Sequence, residues 1–164
     1  MRRFAFAMSA VLTLAVLAQP VDAQLKFGGH AALISGIEAA QELDGTFGFG
    51  GRAGLELPAL PVGVWATATY FAPDCDDCSY WTGALFAKLG LPLPIVSPYV
   101  IGGIQRRATS VGNLDMSEND PFAGVGVSLG GLFIEGRMEF NSDDPALPDF
   151  DNDAFIFMGG IIIG

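Results

Sequence analysis

The chain has 164 residues, of which 51% are hydrophobic and 16% charged, and its formal net charge at pH 7 is -10. This length corresponds to one domain, and the apolar content is high for a soluble one. The acidic balance argues against nucleic-acid binding, which depends on basic surface. With 22 glycines, 13 phenylalanines and no long helical pattern, the composition favours a β-protein with many turns.

The N-terminal segment has the three parts of a secretory signal peptide. Two arginines follow the first methionine, residues 4–18 form an apolar run, and Ala23 ends an A-x-A-like site. The run is shorter than the roughly 20 residues of a spanning helix, which disfavours a membrane anchor. We therefore predict that residues 1–23 are cleaved on export and that residues 24–164 form the mature domain.

Residues 45–57 alternate between two kinds of side chain. From Phe47 to Leu57 the odd positions are apolar or small, whereas the even positions are mainly glycine with Arg52 and Glu56. Successive strand residues point to opposite faces, and an ordinary core does not accept two ionised groups cheaply. An apolar face toward lipid and a charged face toward a narrow lumen explain the pattern, which is the repeat of a transmembrane β-barrel.

The same alternation recurs along the chain and predicts eight strands. Polar, mostly long connections follow the odd-numbered strands, and short apolar or Gly/Pro-rich turns follow the even-numbered ones. This asymmetry is typical of a barrel with long outer loops and tight periplasmic turns. The predicted strands are 24–34, 45–57, 62–71, 80–91, 99–109, 122–129, 132–141 and 154–164.

Two details of this arrangement concern individual strands. The facing of strand 99–109 stays open, so either Arg106 or Arg107 points inward, and residues 110–121 have the composition of a polar loop. Tyr70 and Trp81 are expected to face each other across one hairpin.

A symmetric first hairpin would place two pairs of inward residues opposite each other. Lys26 would face Glu56, and His30 would face Arg52.

The inward positions carry most of the ionisable side chains of the predicted strands. An eight-stranded barrel is just wide enough for side chains to fill it, so mixed charges would pair across the lumen and close it. Because the inward glycines leave space, a narrow passive pore is the alternative. Besides one of the two adjacent arginines, the predicted lumen charge network contains Lys26, His30, Arg52, Glu56, Lys88, Glu135, Arg137 and Glu139.

Outward aromatic residues at the strand ends next to the polar loops predict an interfacial girdle. Phe27 and Tyr99 are candidates for the opposite rim. The predicted girdle consists of Phe47, Tyr70, Trp81, Phe140 and Phe155.

Cys75 and Cys78 form a Cys-x-x-Cys pair in a polar segment of an exported protein, where a local disulfide is expected. The neighbouring aspartates disfavour a reactive thiolate, and no second cysteine pair completes a metal site.

His30, the only histidine, has no serine at the nearest same-face positions. We therefore predict no catalytic residues, no metal site and no cofactor.

The signal peptide, the eight amphipathic strands, the alternating connections and the C-terminal strand together resemble the small outer-membrane barrels of the OmpA, OmpX and Ail type. The resemblance covers residues 24–164 and rests on pattern. It implies an eight-stranded antiparallel up-and-down transmembrane β-barrel in the outer membrane, monomeric and in contact with lipid and lipopolysaccharide. It also implies a non-enzymatic role in membrane integrity, adhesion or resistance.

One feature departs from this resemblance, and one alternative to it stays open. The chain ends in Ile161-Ile162-Ile163-Gly164, without the final aromatic residue that is usual in such barrels. A soluble, exported barrel of lipocalin shape with an apolar ligand inside is a further alternative, but it needs a polar exterior.

Overall fold

The computed structural model describes residues 23–35, 45–57, 60–72, 78–91, 93–111, 114–140 and 154–164. Within these segments, eight antiparallel strands form a closed barrel in which each strand pairs with the next and the last pairs with the first. No helix in the described part of the chain is long and apolar enough to cross a membrane. The strands are β1 (Gln24–Ser35), β2 (Phe47–Leu57), β3 (Val62–Phe71), β4 (Cys78–Gly90), β5 (Ser97–Val111), β6 (Leu114–Leu129), β7 (Leu132–Glu139) and β8 (Ala154–Ile163).

The barrel wall is apolar outside, whereas its interior combines polar, aromatic and aliphatic side chains. Outward side chains such as Phe49 and Ile134 are 64% and 67% exposed. In β3, exposed and buried positions alternate from Val62 to Phe71 without a break. This pattern follows from the two-residue period of a strand and confirms the predicted facing.

The β1–β2 hairpin does not have the symmetric register predicted from the sequence. Lys26 pairs with Gly54 and His30 pairs with a glycine, so neither directly faces its predicted partner, Glu56 or Arg52. The shift is two residues, which keeps every side chain on its predicted face. A tight turn fixes the register of a hairpin, but the segment between β1 and β2 is too long to do so.

The β5–β6 hairpin is longer than predicted. The two strands pair from Ser97 opposite Ser128 to Val111 opposite Leu114, so the predicted polar loop at residues 110–121 is wrong for all but its tip. A hairpin arm without a packed core behind it can carry polar residues on both faces. Its sequence then has the composition of a loop.

The facing of β5, which the sequence left open, is set by its buried residues. Tyr99, Ile101 and Gln105 are buried in the lumen. Arg107 shares their face and is partly buried, whereas Arg106 is exposed on the outer face. Tyr99 is therefore a lumen residue, and the prediction that it is an outward aromatic residue of the rim opposite the girdle is wrong.

Aromatic rings fill the space beside three inward glycines, one of which is Gly48, next to the ring of Phe71. A Cβ atom added at Gly54 would overlap the ring of Trp65, and one added at Gly126 would overlap the ring of Tyr99. Each ring therefore lies over a glycine of the neighbouring strand, an arrangement also used in designed sheets. Four buried rings, which we call the aromatic layer, form part of one core cluster: Trp65, Phe86, Tyr99 and Phe122.

Candidate functional site: the lumen

The predicted lumen charge network is divided into separate groups. Each of its members lies on the inward face of its strand, and the described contacts sort them into three ion-pair groups and one histidine. The members are Lys26, His30, Arg52, Glu56, Lys88, Glu135, Arg137 and Glu139.

The central triad consists of Arg52, Glu135 and Arg137, whose side chains are almost fully buried. Arg52 donates from Nη1 and Nη2 to the two carboxylate oxygens of Glu135, at 3.3 and 3.2 Å. Arg137 donates from Nε to Glu135 Oε1 at 2.7 Å. Arg52 is on β2 and Glu135 on β7, so this ion pair crosses the lumen.

Side chains from four further strands surround the triad. The Tyr99 hydroxyl donates to the Glu135 carboxylate at 2.9 Å, and Thr67 Oγ1 accepts from Arg137 Nη1 at 3.4 Å. The rings of Phe86 and Phe122 lie 4.7 and 4.8 Å from the Arg137 guanidinium, within range of a cation–π interaction. Side chains of β2 to β7 thus meet at one level of the lumen.

A second group, the turn-end group, lies at the end of the barrel where the connections after β2, β4 and β6 are found. It consists of Lys26, Glu56 and Lys88, and each lysine Nζ is 2.7 Å from a different oxygen of Glu56. The three side chains are 16–24% exposed. These ions therefore have contact with water as well as with one another.

The third group, the loop-end group, is centred on Arg107 at the opposite end. Arg107 Nε donates to Asp120 Oδ2 at 2.8 Å and Nη2 to Glu118 Oε2 at 3.3 Å, while Nη1 lies 3.8 Å from Glu139 Oε2. Gln105 Nε2 donates to Glu139 Oε1. Sequence reasoning missed Gln105, Glu118 and Asp120. If the sequence had shown that Arg107 points inward, an acidic partner in the segment that follows β5 would have been expected.

His30 is bonded to Thr69 instead of facing Arg52. Its Nε2 lies 2.8 Å from Thr69 Oγ1, and the two residues are 6% and 2% exposed. This imidazole–hydroxyl pair is buried among the inward side chains of the lumen.

The chain is similar over most of its length to several solved β-barrel structures. Neisserial surface protein A (NspA) aligns with a TM-score of 0.60 at 15% identity, covering 86% of this chain and 97% of that one. The N-terminal β-barrel domain of Pseudomonas aeruginosa OprF aligns with a TM-score of 0.54 at 12% identity, covering 87% and 100%. The chain has the fold of the small eight-stranded outer-membrane β-barrels. No protein-family model matches the sequence, and no curated protein is significantly similar to it.

In this outer-membrane barrel fold, the predicted girdle residues lie at the loop end of the wall. Phe47, Tyr70, Trp81 and Phe155 are 42–62% exposed on outward positions. Phe140, directly after β7, is partly buried. Tyr70 pairs with Trp81 across the β3–β4 hairpin, as predicted. Their role as an interfacial girdle stays a prediction.

The predicted disulfide lies outside the described residues, since Cys75 and the side chain of Cys78 are not among them. The described segments contain no group of three or more His, Cys, Asp and Glu residues that could hold a metal ion.

Proposed function

We propose that this protein is an integral outer-membrane barrel with a structural or surface role in membrane integrity, adhesion or resistance. The observation that carries the proposal is the reversed polarity of the barrel, with apolar side chains outside and ionised ones inside. Large contiguous apolar surfaces are rare on soluble monomers and mark contact with a membrane or a partner. The same polarity disfavours the lipocalin-like alternative, which requires a polar exterior.

We further propose that the lumen is closed by its own side chains. Three observations support closure: the central triad spans the lumen, the aromatic layer packs against it, and rings occupy the space beside Gly54 and Gly126. An eight-stranded barrel has an interior that side chains can fill completely.

The membrane partners we propose are lipid and lipopolysaccharide. The exposed aromatic residues at the loop end would lie at the level of the head groups, where amphipathic rings are favoured. Arg106 is the one cation of the described strands on the outer face, where its guanidinium could meet a lipid phosphate. The polar sequences that connect the strands at this end are the candidate surface contacts, and we expect the barrel to be a monomer.

Cell fractionation and gel migration test the membrane assignment. We expect the protein in the outer-membrane fraction, and an unheated sample should migrate differently from a boiled one because the barrel resists detergent. The intact mass should correspond to a chain that starts at Gln24 and lacks two hydrogens, as cleavage and a Cys75–Cys78 disulfide require. Recovery in the soluble periplasmic fraction without heat-dependent migration would contradict the assignment.

Conductance in planar lipid bilayers tests closure separately. The wild-type protein should show little steady conductance because the central triad blocks the lumen. Arg106→Ala, which removes a cation from the outer wall, is the matched control and should behave as the wild type does. Steady, ion-selective channels whose conductance changes in Arg52→Ala or Arg137→Ala would favour the pore alternative instead.

A further inference from the structure

The turn end of the barrel contains a cavity of about 380 Å³ that is separate from the central triad. This volume falls in the lower part of the range found for small-molecule sites. One side carries the turn-end group, Lys26, Glu56 and Lys88. The other walls are largely apolar and include the inward residues Tyr99 and Ile162. A charged spot beside an apolar wall is suited to an amphipathic ligand.

The charged spot has an excess of one positive charge. Lys26 and Lys88 share the single carboxylate of Glu56, and each ammonium group has three N–H donors of which this ion pair uses one. Lys88 Nζ also lies 4.7 Å from the ring centre of Tyr99, a contact that holds the cation at the cavity wall. One monoanion would balance the charge, whereas a dianion would reverse it.

A buried donor at the same place provides a second observation. Trp65 is 1% exposed, and its indole Nε1 has no hydrogen-bond partner in the described part of the chain. The nitrogen is 3.0 Å from the position that a Cβ atom of Gly63 would occupy, and Gly63 lines the cavity. Buried polar groups without a partner are uncommon in folded proteins. This N–H thus lies directly behind Gly63 in the cavity wall, where an acceptor atom that approached past this glycine would satisfy it.

We propose that the turn-end cavity binds a small monocarboxylate with a short apolar chain. The carboxylate would lie between the Lys26 and Lys88 ammonium groups near the Trp65 N–H, and the chain would lie against the apolar wall. Charge pairing selects the anion, and a cavity of about 380 Å³ has room for a short chain. The proposal does not depend on whether the lumen conducts.

Hexanoate is a suitable probe, and the two tryptophans provide the readout. The ¹⁵N-labelled protein, folded in zwitterionic micelles, gives one indole N–H signal for Trp65 and one for Trp81, which Trp81→Phe assigns. Hexanoate should shift the Trp65 signal saturably and leave the Trp81 signal, on the outer wall, in place. Hexanol at the same concentration should bind at least about tenfold more weakly, because it lacks the charge that the lysines recognise.

Two variants change the charge of the cavity in opposite directions. Lys88→Met keeps an apolar stem and removes a cation, so hexanoate should bind about tenfold more weakly. Glu56→Gln removes the competing carboxylate, so binding should tighten several-fold. Arg106→Met, on the outer wall, is the matched control and should leave the affinity unchanged. Heat-dependent gel migration shows that each variant is folded.

The proposal is overturned if hexanol shifts the Trp65 signal as strongly as hexanoate does, or if the two tryptophans shift together, which indicates partition into the micelle. It is also overturned if the affinities of Lys88→Met and Glu56→Gln equal that of the wild type.

A free anion and a lipid head group are distinguished in lipid nanodiscs. Phosphatidylglycerol should not shift the Trp65 signal, and a shift with it but not with hexanoate contradicts the proposal.

Discussion

The central triad and the turn-end group have the same composition in outline, since each holds two cations on one carboxylate. They differ in depth: the side chains of Arg52, Glu135 and Arg137 are at most 3% exposed, whereas those of the turn-end group are 16–24% exposed. They also differ in the cation. Arginines occupy the dry centre of the lumen. Lysines occupy the turn end, which is accessible to water and which we call the mouth.

Depth explains the choice of cation. A guanidinium is planar and weakly hydrated, and it can donate two parallel hydrogen bonds to one carboxylate, as Arg52 does to Glu135. An ammonium group is strongly hydrated and loses more when it is removed from water. Lys26 and Lys88 keep part of their hydration at the mouth. Loss of the carboxylate charge should therefore lower the free energy of unfolding by different amounts in the central triad and in the turn-end group.

The aromatic layer separates the two groups and contacts both. Tyr99 donates its hydroxyl to Glu135, while its ring lies 4.7 Å from Lys88 Nζ. Trp65, whose ring centre is 5.4 Å from the same nitrogen, lies beside the mouth. These rings lie between the central triad and the water at the turn end. The triad is therefore buried, whereas the turn-end group stays partly exposed.

Removing the charge of Glu135 should have the largest effect. Glu135→Gln preserves the shape of the side chain but leaves Arg52 and Arg137 buried without a counter-ion. Breaking a buried ion pair in this way costs about 3–5 kcal/mol. The free energy of unfolding in urea, measured in lipid vesicles, should fall by that amount.

A double-mutant cycle with Arg52→Met shows whether the loss is due to the ion pair. If the pair is responsible, the two substitutions should be strongly non-additive. A cost of less than about 1 kcal/mol for Glu135→Gln would mean that water reaches the centre, and the contrast in depth would be lost.

Disturbing the aromatic layer should have an intermediate effect. In Gly54→Ala the new methyl group overlaps the ring of Trp65, which must move. Overpacking of this kind typically costs about 1–3 kcal/mol. Gly51→Ala is the matched control on the outer face of the same strand, where the added Cβ meets only an ordinary contact, 3.7 Å from the Gly28 carbonyl oxygen. Equal unfolding energies for the two variants would contradict the packing of Trp65 on Gly54.

The fold and the polarity of the wall were predictable because both follow from the two-residue period. Charged residues alternate with apolar or small ones in β2 and β7, so the facing of Arg52 and Glu135 could be assigned without knowing their partners. A period of two does not specify which residues pair. A register shift of two leaves every facing unchanged, so the alternation could not distinguish the predicted register from the observed one. His30 therefore lies opposite a glycine, and the prediction that it faces Arg52 was wrong.

Glu139 of the loop-end group was predicted as a lumen charge, but the residues from β5 and β6 were not, because these parts of the two strands lack a clear alternation. In β5, apolar residues and glycines occupy both faces, and only the burial of Tyr99 and Gln105 in the closed barrel selects Arg107 as the inward arginine. In β6, the polar sequence around Asp120 has the composition of a loop. Its strand conformation depends on pairing with β5, which is a tertiary effect.

Removing the charge of Glu56 should have the smallest effect on stability. In Glu56→Gln the two lysines can regain water at the mouth, so the expected loss is about 0.2–1 kcal/mol, as for exposed ion pairs. The loss should shrink further in 1 M salt, where the screening length is only about 3 Å, whereas the loss caused by Glu135→Gln should persist. Unfolding in urea at low and high salt measures both. A salt-independent loss of several kcal/mol for Glu56→Gln would show that the mouth is as dry as the centre, and depth would then not explain why lysine occurs in one group and arginine in the other.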